Sequence, residues 1–230
     1  MPKSDEEFLL DLTRSLSEQA ATLRAAAMLD YKVAADSRDD PVREALRRCG
    51  ELARASADLG NSKNPAALAL VARAVLENLI SLLWIVISED NAMEHERAAV
   101  AELARAARVN FVKGNARVMN RKTGKDETKD FLKRDQFKSL PRRRSVEEQA
   151  TTAGVLHLYD VFYRFFSVET HGHGSVGESD ETTLQATLVN LQGIGALCLA
   201  SGHAGVLWLL HRQRVDNETL RQLLGFARDA

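Results

Sequence analysis

The chain has 230 residues, of which 45% are hydrophobic and 27% are charged, and its formal net charge is −1. This composition is that of an ordinary globular protein and excludes collagen-like, mucin-like and wholly disordered chains. The length suffices for a domain with a substantial core. No sustained alternation of period two occurs, which disfavours strands. We therefore predict an all-α fold, a bundle of five to six main helices in a single domain over 1–230.

Helical periodicity and capping signals place the predicted elements along the chain. In chain order, the predicted helices cover 6–35, 41–59, 66–88, 91–112, a short stretch within 127–134, 145–171, 180–212 and a terminal segment from 216. The expected caps at their starts are Asp39 or Asp40, Asn64, Ser145 with Glu148 as a capping box, and Asp180. The remaining stretch, 112–140, is predicted to be a basic, partly flexible connecting segment.

Two apolar runs raise the question of a membrane. The run 68–87 contains Arg73, Glu77 and Asn78, which lipid would penalise heavily. The run 189–210 has no Asp, Glu, Lys or Arg but contains four glycines, and we predict a buried central helix there. The glycines Gly195, Gly202 and Gly205 indicate close helix packing, within the bundle or across a dimer. No membrane association is expected.

The cysteines and the N-terminus indicate the compartment. Cys49 and Cys198 are too few for a disulfide framework and lie in apolar helical surroundings, so both are predicted to be buried free thiols. The first residues are polar and acidic and lack the basic and apolar regions of a signal peptide. The predicted localisation is cytoplasmic.

The small net charge hides a strong asymmetry along the chain. Between Arg105 and Arg144 there are fourteen Lys or Arg residues and four Asp or Glu residues, a balance of +10, so the rest of the chain carries −11. Such a segment favours an anionic partner, with nucleic acid the leading candidate, although a merely solubilising insertion explains it equally well. The residues expected to contact nucleic acid are Lys133, Arg134, Arg142, Arg143 and Arg144.

Two strongly apolar predicted helices each contain a polar stripe. On 145–171, the residues His157, Asp160, Arg164, Ser167 and His171 follow one another at spacings of three and four and share one helix face. On 66–88, the residues Arg73, Glu77 and Ser81 recur every four positions. An unpaired carboxylate in a central helix costs several kcal/mol. We therefore expect Glu77 to meet Arg164 or His171 in one shared polar cluster, although exposure of the stripe on 145–171 to solvent would explain that stripe alone.

The predicted helix 145–171 contains a pattern that resembles a known motif. Arg164 and His171 form an Arg-x6-His pattern that resembles the Arg-x4–6-His motif of the HEPN superfamily, small helical bundles of bacterial defence and toxin–antitoxin systems. The chain also resembles a bacterial family of unknown function that has Arg-x3-Glu on one helix and Tyr-x3-Ser-x3-His on a later one. These patterns stand here as Arg73 with Glu77, and as Tyr163 with Ser167 and His171. The resemblance covers 66–172.

The resemblance implies a function. Superfamily members with this motif are typically metal-independent endoribonucleases that act as dimers. It implies that Arg164 and His171 are the catalytic pair, and we expect Tyr163, Ser167 and Glu77 to assist them. RNA is then the expected substrate, a homodimer the expected assembly, an antitoxin or other regulatory protein a further partner, and no cofactor is required.

Two alternatives stay open. A non-catalytic helical module would use the polar stripes as a structural network and the basic segment to bind a protein or nucleic acid. A metal site would use His171 and His173, with Glu169 or His211 completing it, although the pattern is weak. Of the other histidines, His95 and His211 are expected to be exposed and His203 to lie in the core.

Overall fold

The structure, a computed structural model, describes residues 4–29, 36–134, 142–163, 166 and 179–212. The described residues are mainly α-helical, which confirms the predicted fold class, and their only β-structure is one isolated bridge between Met119 and Asp126. The helices are α1 (Asp5–Ala27), α2 (Asp39–Asn61), α3 (Pro65–Ile87), α4 (Glu89–Val112), α5 (Thr128–Leu132), α6 (Val146–Thr152), α7 (Leu156–Leu158), a π-helix (Tyr159–Tyr163) and α8 (Asp180–His211).

Helix α3 is the central element of the bundle. It packs against α2, α4, α6, the π-helix and α8. Its side chains Leu68, Leu76, Ile80, Leu82 and Trp84 are almost completely buried. Burial of each such side chain contributes about 1.5–3 kcal/mol. The apolar composition of α3 is therefore explained by its position in the core.

Helices α2 and α8 make a close contact across the core. Cys49 on α2 and Cys198 on α8 are both buried free thiols, as predicted, and their Sγ atoms lie 3.7 Å apart. The hydrogen bond with the Cys49 thiol and burial raise the pKa of Cys198. Nearby, a Cβ atom added to Gly205 would lie 2.7 Å from two carbon atoms of Leu46. This glycine therefore serves packing within the bundle.

Helix α8 differs from its prediction as a fully buried helix. One face is buried, but Val189, Leu199 and Leu207 on the other are 55%, 57% and 65% exposed. His203 lies on this exposed face, so its predicted core position is wrong. Among the described residues, α3 and α8 are the two helices long and apolar enough to cross a membrane, a property that core helices share.

The predicted continuous helix over 145–171 is wrong. Helix α6 ends at Thr152, and Gly154 adopts a φ of 71°, a left-handed conformation that no helix interior contains. The chain then forms the single turn α7 and continues into the π-helix. Because a π-helix has more residues per turn than an α-helix, the side chains within Tyr159–Tyr163 do not keep the α-helical register.

The capping predictions had mixed outcomes. Asn64 caps α3, and Ser145 with Glu148 forms the predicted capping box of α6. Asp39 is not a cap, because it lies in the first turn of α2, where its buried carboxylate accepts a 3.1 Å hydrogen bond from Trp208 Nε1. Ser179, one residue before the predicted Asp180, caps α8.

The basic connecting segment is folded over its described part. Its chain reverses direction at Asn120, whose backbone N–H donates to the Lys125 carbonyl over 2.9 Å. The short helix predicted within 127–134 is confirmed as α5, which packs on the end of α4 through an edge-to-face contact of Phe111 and Phe131. The rest of the segment, 135–140, lies outside the described residues, as does the predicted terminal helix. The first predicted helix, 6–35, is too long, because α1 ends at Ala27 with Met28 as its C-cap.

Candidate active site

The polar stripe of α3 makes contact with the π-helix. The Nε atom of Arg73 donates to Glu77 Oε1 over 3.1 Å, one helical turn away. The guanidinium of Arg73 also donates to the hydroxyl of Tyr163 and lies over its ring, with Cζ 4.4 Å from the ring centroid. All three side chains are half-buried. Arg73 therefore connects a carboxylate on α3 with a phenol on the π-helix.

Three further contacts hold together this junction of α3 with α6 and the π-helix. Ser81, one turn beyond Glu77, donates to Gln149 Oε1 on α6 over 2.8 Å. The other end of the Gln149 amide donates to the carbonyl of Arg144 over 3.1 Å. On the π-helix, the rings of Tyr159 and Tyr163 stack with centroids 4.5 Å apart. The whole stripe of α3 thus faces the chain between Arg144 and Tyr163.

Some of the predicted catalytic residues lie in this junction, and the others lie outside the described residues. Glu77 and Tyr163 meet at Arg73. Arg164, Ser167 and His171 lie outside the described residues, and with them the expected contact of Glu77 with Arg164 or His171. The other two members of the predicted stripe, His157 and Asp160, are exposed. These two residues of the stripe lie at the surface, whereas Tyr163 of the π-helix contacts Arg73.

The residues predicted to contact nucleic acid are all exposed, but most have acidic partners. Ion pairs join Lys133 to Asp130, Arg142 to Glu148, Arg143 to Glu102 and Arg144 to Glu94, at 2.8–3.3 Å. Arg134 lies over the ring of Phe131. Acidic side chains of α4 and α6 thus neutralise much of the charge at 142–144, which the local count along the sequence did not reveal.

A small cleft lies next to this junction, between α2, α3, α4 and the residues before α6. Its volume is about 80 Å³, and Arg48, Glu77, Ser81, His95 and Arg143 are among its lining residues. His95 is half-buried, so its predicted exposure is wrong. Burial lowers the pKa of His95, and the positive charges of Arg143 and Arg48 lower it further.

Sequence reasoning missed Arg48 and His95 as site residues. Each lies in a charged stretch of a helix with no motif around it, and the three elements that bring them together are far apart in sequence. No group of three His, Cys, Asp or Glu side chains that would hold a metal ion occurs within the described ranges. The alternative metal site at His171 and His173 lies outside them.

One protein-family profile matches a segment of the chain that contains this junction. The profile of a family of unknown function, DUF5677, matches residues 39–180, more than half of the chain. Comparisons with curated proteins and with solved structures find no match. The matched segment begins at the first residue of α2 and includes Arg73, Glu77 and Tyr163.

Proposed function

We propose that this chain, which belongs to the family of unknown function DUF5677, is a metal-independent endoribonuclease of HEPN type. The observation that carries the proposal is the contact of Arg73, which is paired with Glu77, with Tyr163. Tyr163 directly precedes Arg164, the first residue of the Arg-x6-His pattern. A half-buried ion pair on the central helix thus contacts the residue that precedes the motif. That residue lies in a π-helical turn, a feature that is frequent at functional sites.

The proposed reaction needs one base, one acid and positive charge near the phosphorus. A base removes the proton of the 2′-hydroxyl, the 2′-oxygen attacks the phosphorus, and the 5′-oxygen leaves with a proton from an acid. The products are a 2′,3′-cyclic phosphate and a free 5′-hydroxyl. Histidine is the side chain whose ordinary pKa lies nearest neutrality, so His171 is assigned the proton transfer. Arg164 stays charged and is assigned the non-bridging phosphate oxygens.

The neighbouring residues are assigned supporting roles. Tyr163 and Ser167 are hydrogen-bond donors to the substrate, and Glu77 is a positioning residue. Glu77 acts in this assignment through Arg73, because the 3.1 Å ion pair holds the guanidinium that contacts Tyr163. A change at Glu77 should therefore lower turnover without removing RNA binding.

The substrate, assembly and cellular role of the proposed enzyme follow from the resemblance to the HEPN superfamily. RNA is the substrate, gathered by exposed cations of the basic segment that have no acidic partner among the described residues, such as Arg121, Lys122 and Lys125. A homodimer would supply two histidines to one cleft. We place the protein in the cytoplasm, in a defence or toxin–antitoxin system with an antitoxin or other regulator.

RNA cleavage in EDTA tests the proposal. The wild-type protein should cut RNA and leave cyclic phosphate ends, and His171→Ala and Arg164→Ala should each lose nearly all activity. His203→Ala and Arg54→Ala are matched controls, because both residues are exposed and lie away from the junction, and they should keep full activity. Absence of cleavage by the wild type across varied RNAs, or undiminished cleavage by His171→Ala, refutes the enzyme.

A second candidate function is a non-catalytic helical binding module. It is favoured by one observation: the Arg73 guanidinium is engaged by both Glu77 and Tyr163, as in a structural polar network. Such a module would bind RNA or a partner protein with an affinity that falls as salt rises, and it would leave RNA ends intact. Binding without cleavage, measured across a salt series, would favour this function.

A further inference from the structure

Helices α2 and α8 bring the two cysteines of the chain into contact. Cys49 and Cys198 are the only cysteines in the sequence, and they lie 149 positions apart. In the core their Sγ atoms are 3.7 Å apart, and the two residues are 0% and 1% exposed. Neither residue belongs to the candidate active site. The thiol pair can therefore be tested separately from the proposed RNA cleavage.

Glycines allow the helix backbones to approach closely where the two thiols meet. A Cβ atom added to Gly205 of α8 would lie 2.7 Å from Leu46 of α2. One added to Gly50, the residue after Cys49, would lie 3.0 Å from the carbonyl oxygen of Ala20 on α1. Helix α2 is therefore held tightly between α1 and α8. Because a disulfide bond is about 2.05 Å long, the two sulfur atoms have roughly 1.7 Å to close, a distance of the size that side-chain rotation covers.

The contact makes the two thiols unequal in acidity. The hydrogen bond with the Cys198 thiol stabilises the thiolate of Cys49 and lowers the pKa of Cys49, although burial opposes the shift. The same hydrogen bond and burial both raise the pKa of Cys198. The thiolate is the nucleophilic form of cysteine. Cys49 is therefore the sulfur that reacts first, with the Cys198 thiol beside it.

We propose that Cys49 and Cys198 form a redox-sensitive lock, in which hydrogen peroxide oxidises the pair to a disulfide that ties α2 to α8. The Cys49 thiolate attacks one peroxide oxygen and the O–O bond breaks. The released hydroxide takes up the proton that Cys49 had lost, which leaves a sulfenic acid and one water. The Cys198 sulfur then attacks the Cys49 sulfur, the S–O bond breaks, and the hydroxyl group leaves with the Cys198 proton as a second water. The two sulfurs thus lose two electrons, and one peroxide is reduced to two waters.

Burial of the pair decides when the lock forms. Both sulfurs are inaccessible in the closed bundle, so peroxide reaches them when α2 and α8 separate locally. The disulfide then joins positions 149 residues apart and restricts the unfolded chain, which stabilises the bundle. A thiol reductant reverses the reaction by exchange. The pair therefore converts exposure to peroxide into a tighter connection between two core helices.

Treatment of the native full-length protein with hydrogen peroxide tests the lock. Peptide mapping without reductant should recover the Cys49–Cys198 linkage, and the midpoint of thermal unfolding should rise by roughly 5 °C or more. A thiol reductant should remove the linkage and restore the original midpoint. Cys49→Ala is the matched control, and its midpoint should not rise with peroxide. This control also accounts for oxidation of exposed methionines such as Met28.

Two serine variants test the order in which the sulfurs react. In Cys198→Ser the reaction should stop after the first step, and Cys49 should carry a sulfenic acid that dimedone labels when the treated protein is unfolded. Cys49→Ser should give far less label at Cys198, and equal labelling of the two variants would overturn the assignment of Cys49 as the attacking sulfur. No linkage in the wild type, a linkage between two molecules, or a thermal midpoint that falls as the linkage forms would each overturn the lock.

Discussion

The guanidinium of Arg73 lies over the ring of Tyr163, with Cζ 4.4 Å from the ring centroid, and donates a hydrogen bond to the phenol oxygen. The two residues are 90 positions apart in sequence. This contact joins the central helix α3 to the π-helix that precedes Arg164. It adds a polar contact to the apolar packing of Tyr159 and Tyr163 against the core.

A double-mutant cycle measures the coupling of these two residues. Tyr163→Phe keeps the ring and removes the hydroxyl, and we expect a loss of about 1 kcal/mol in the free energy of unfolding, modest because the pair is half-buried. Arg73→Gln removes the charge. The double variant should lose less than the sum of the singles by roughly 0.5 kcal/mol or more, as determined by urea unfolding. Additive losses would show that the contact contributes no coupling energy.

Gly154 and Gly195 give opposite predictions for the same substitution. Neither has an atom within 4 Å of the position that a Cβ would take, so packing does not decide either case. Gly154 has a φ of 71°, and alanine there should cost about 1 kcal/mol of stability. Gly195 lies within helix α8, and alanine there should add roughly 0.5–1 kcal/mol. Thermal unfolding of both variants provides the comparison, and a stabilised Gly154→Ala would contradict the left-handed turn.

Gly205→Ala tests the packing of α8 on α2. The added methyl group would lie 2.7 Å from the terminal carbons of Leu46, whose side chain is 1% exposed, so that side chain must shift within the packed core. Overpacking of this kind costs roughly 1–3 kcal/mol, which outweighs the gain in helix propensity. The midpoint of urea unfolding should therefore fall, in contrast to Gly195→Ala on the same helix. An unchanged midpoint would mean that the two helices separate at low cost.

Acid unfolding should report on Asp36. Its carboxylate accepts two hydrogen bonds of 2.9 Å from the side chain of Arg38, and Arg212 lies 3.5 Å away. The bonds from Arg38 lower the pKa of Asp36 to about 2 from 3.8, although burial opposes the shift. Because the folded pKa is depressed, this contribution is present above pH 3.8 and is lost as the pH falls toward 2.

Asp36→Asn should therefore lower the free energy of unfolding at neutral pH by roughly 2 kcal/mol, and should flatten its dependence on pH in the acid range. Urea unfolding across that range measures both effects. Asp58→Asn is the control, because the carboxylate of Asp58 is exposed and only 3.6 Å from Arg54, and its effect should be small. Equal effects of the two substitutions would remove the special role of Asp36.

The polar residues of α3 show how much of the candidate site can be predicted from sequence patterns. The spacing of Arg73, Glu77 and Ser81 on an apolar helix predicts that polar side chains of α3 meet polar groups of another element, and Arg73 and Ser81 do so. The expected contact of Glu77 with Arg164 or His171 lies outside the described residues, and the glycine turn at 154 and the π-helix set the course of the chain before Arg164 in a way that no α-helical periodicity anticipates. Tyr163 and Gln149 therefore face α3.

The sequence by itself determined the all-α class, the starts and ends of most helices and the central place of α3. These follow from local signals, since apolar periodicity, Asn64 before Pro65 and the Ser145–Glu148 capping box act within a few residues of one another. Tertiary structure alone decided that Arg48, His95 and Arg143 share a cleft and that acidic side chains neutralise the arginines at 142–144. The physical reason is that charge and burial depend on neighbours in space, and those neighbours come from helices distant in the chain.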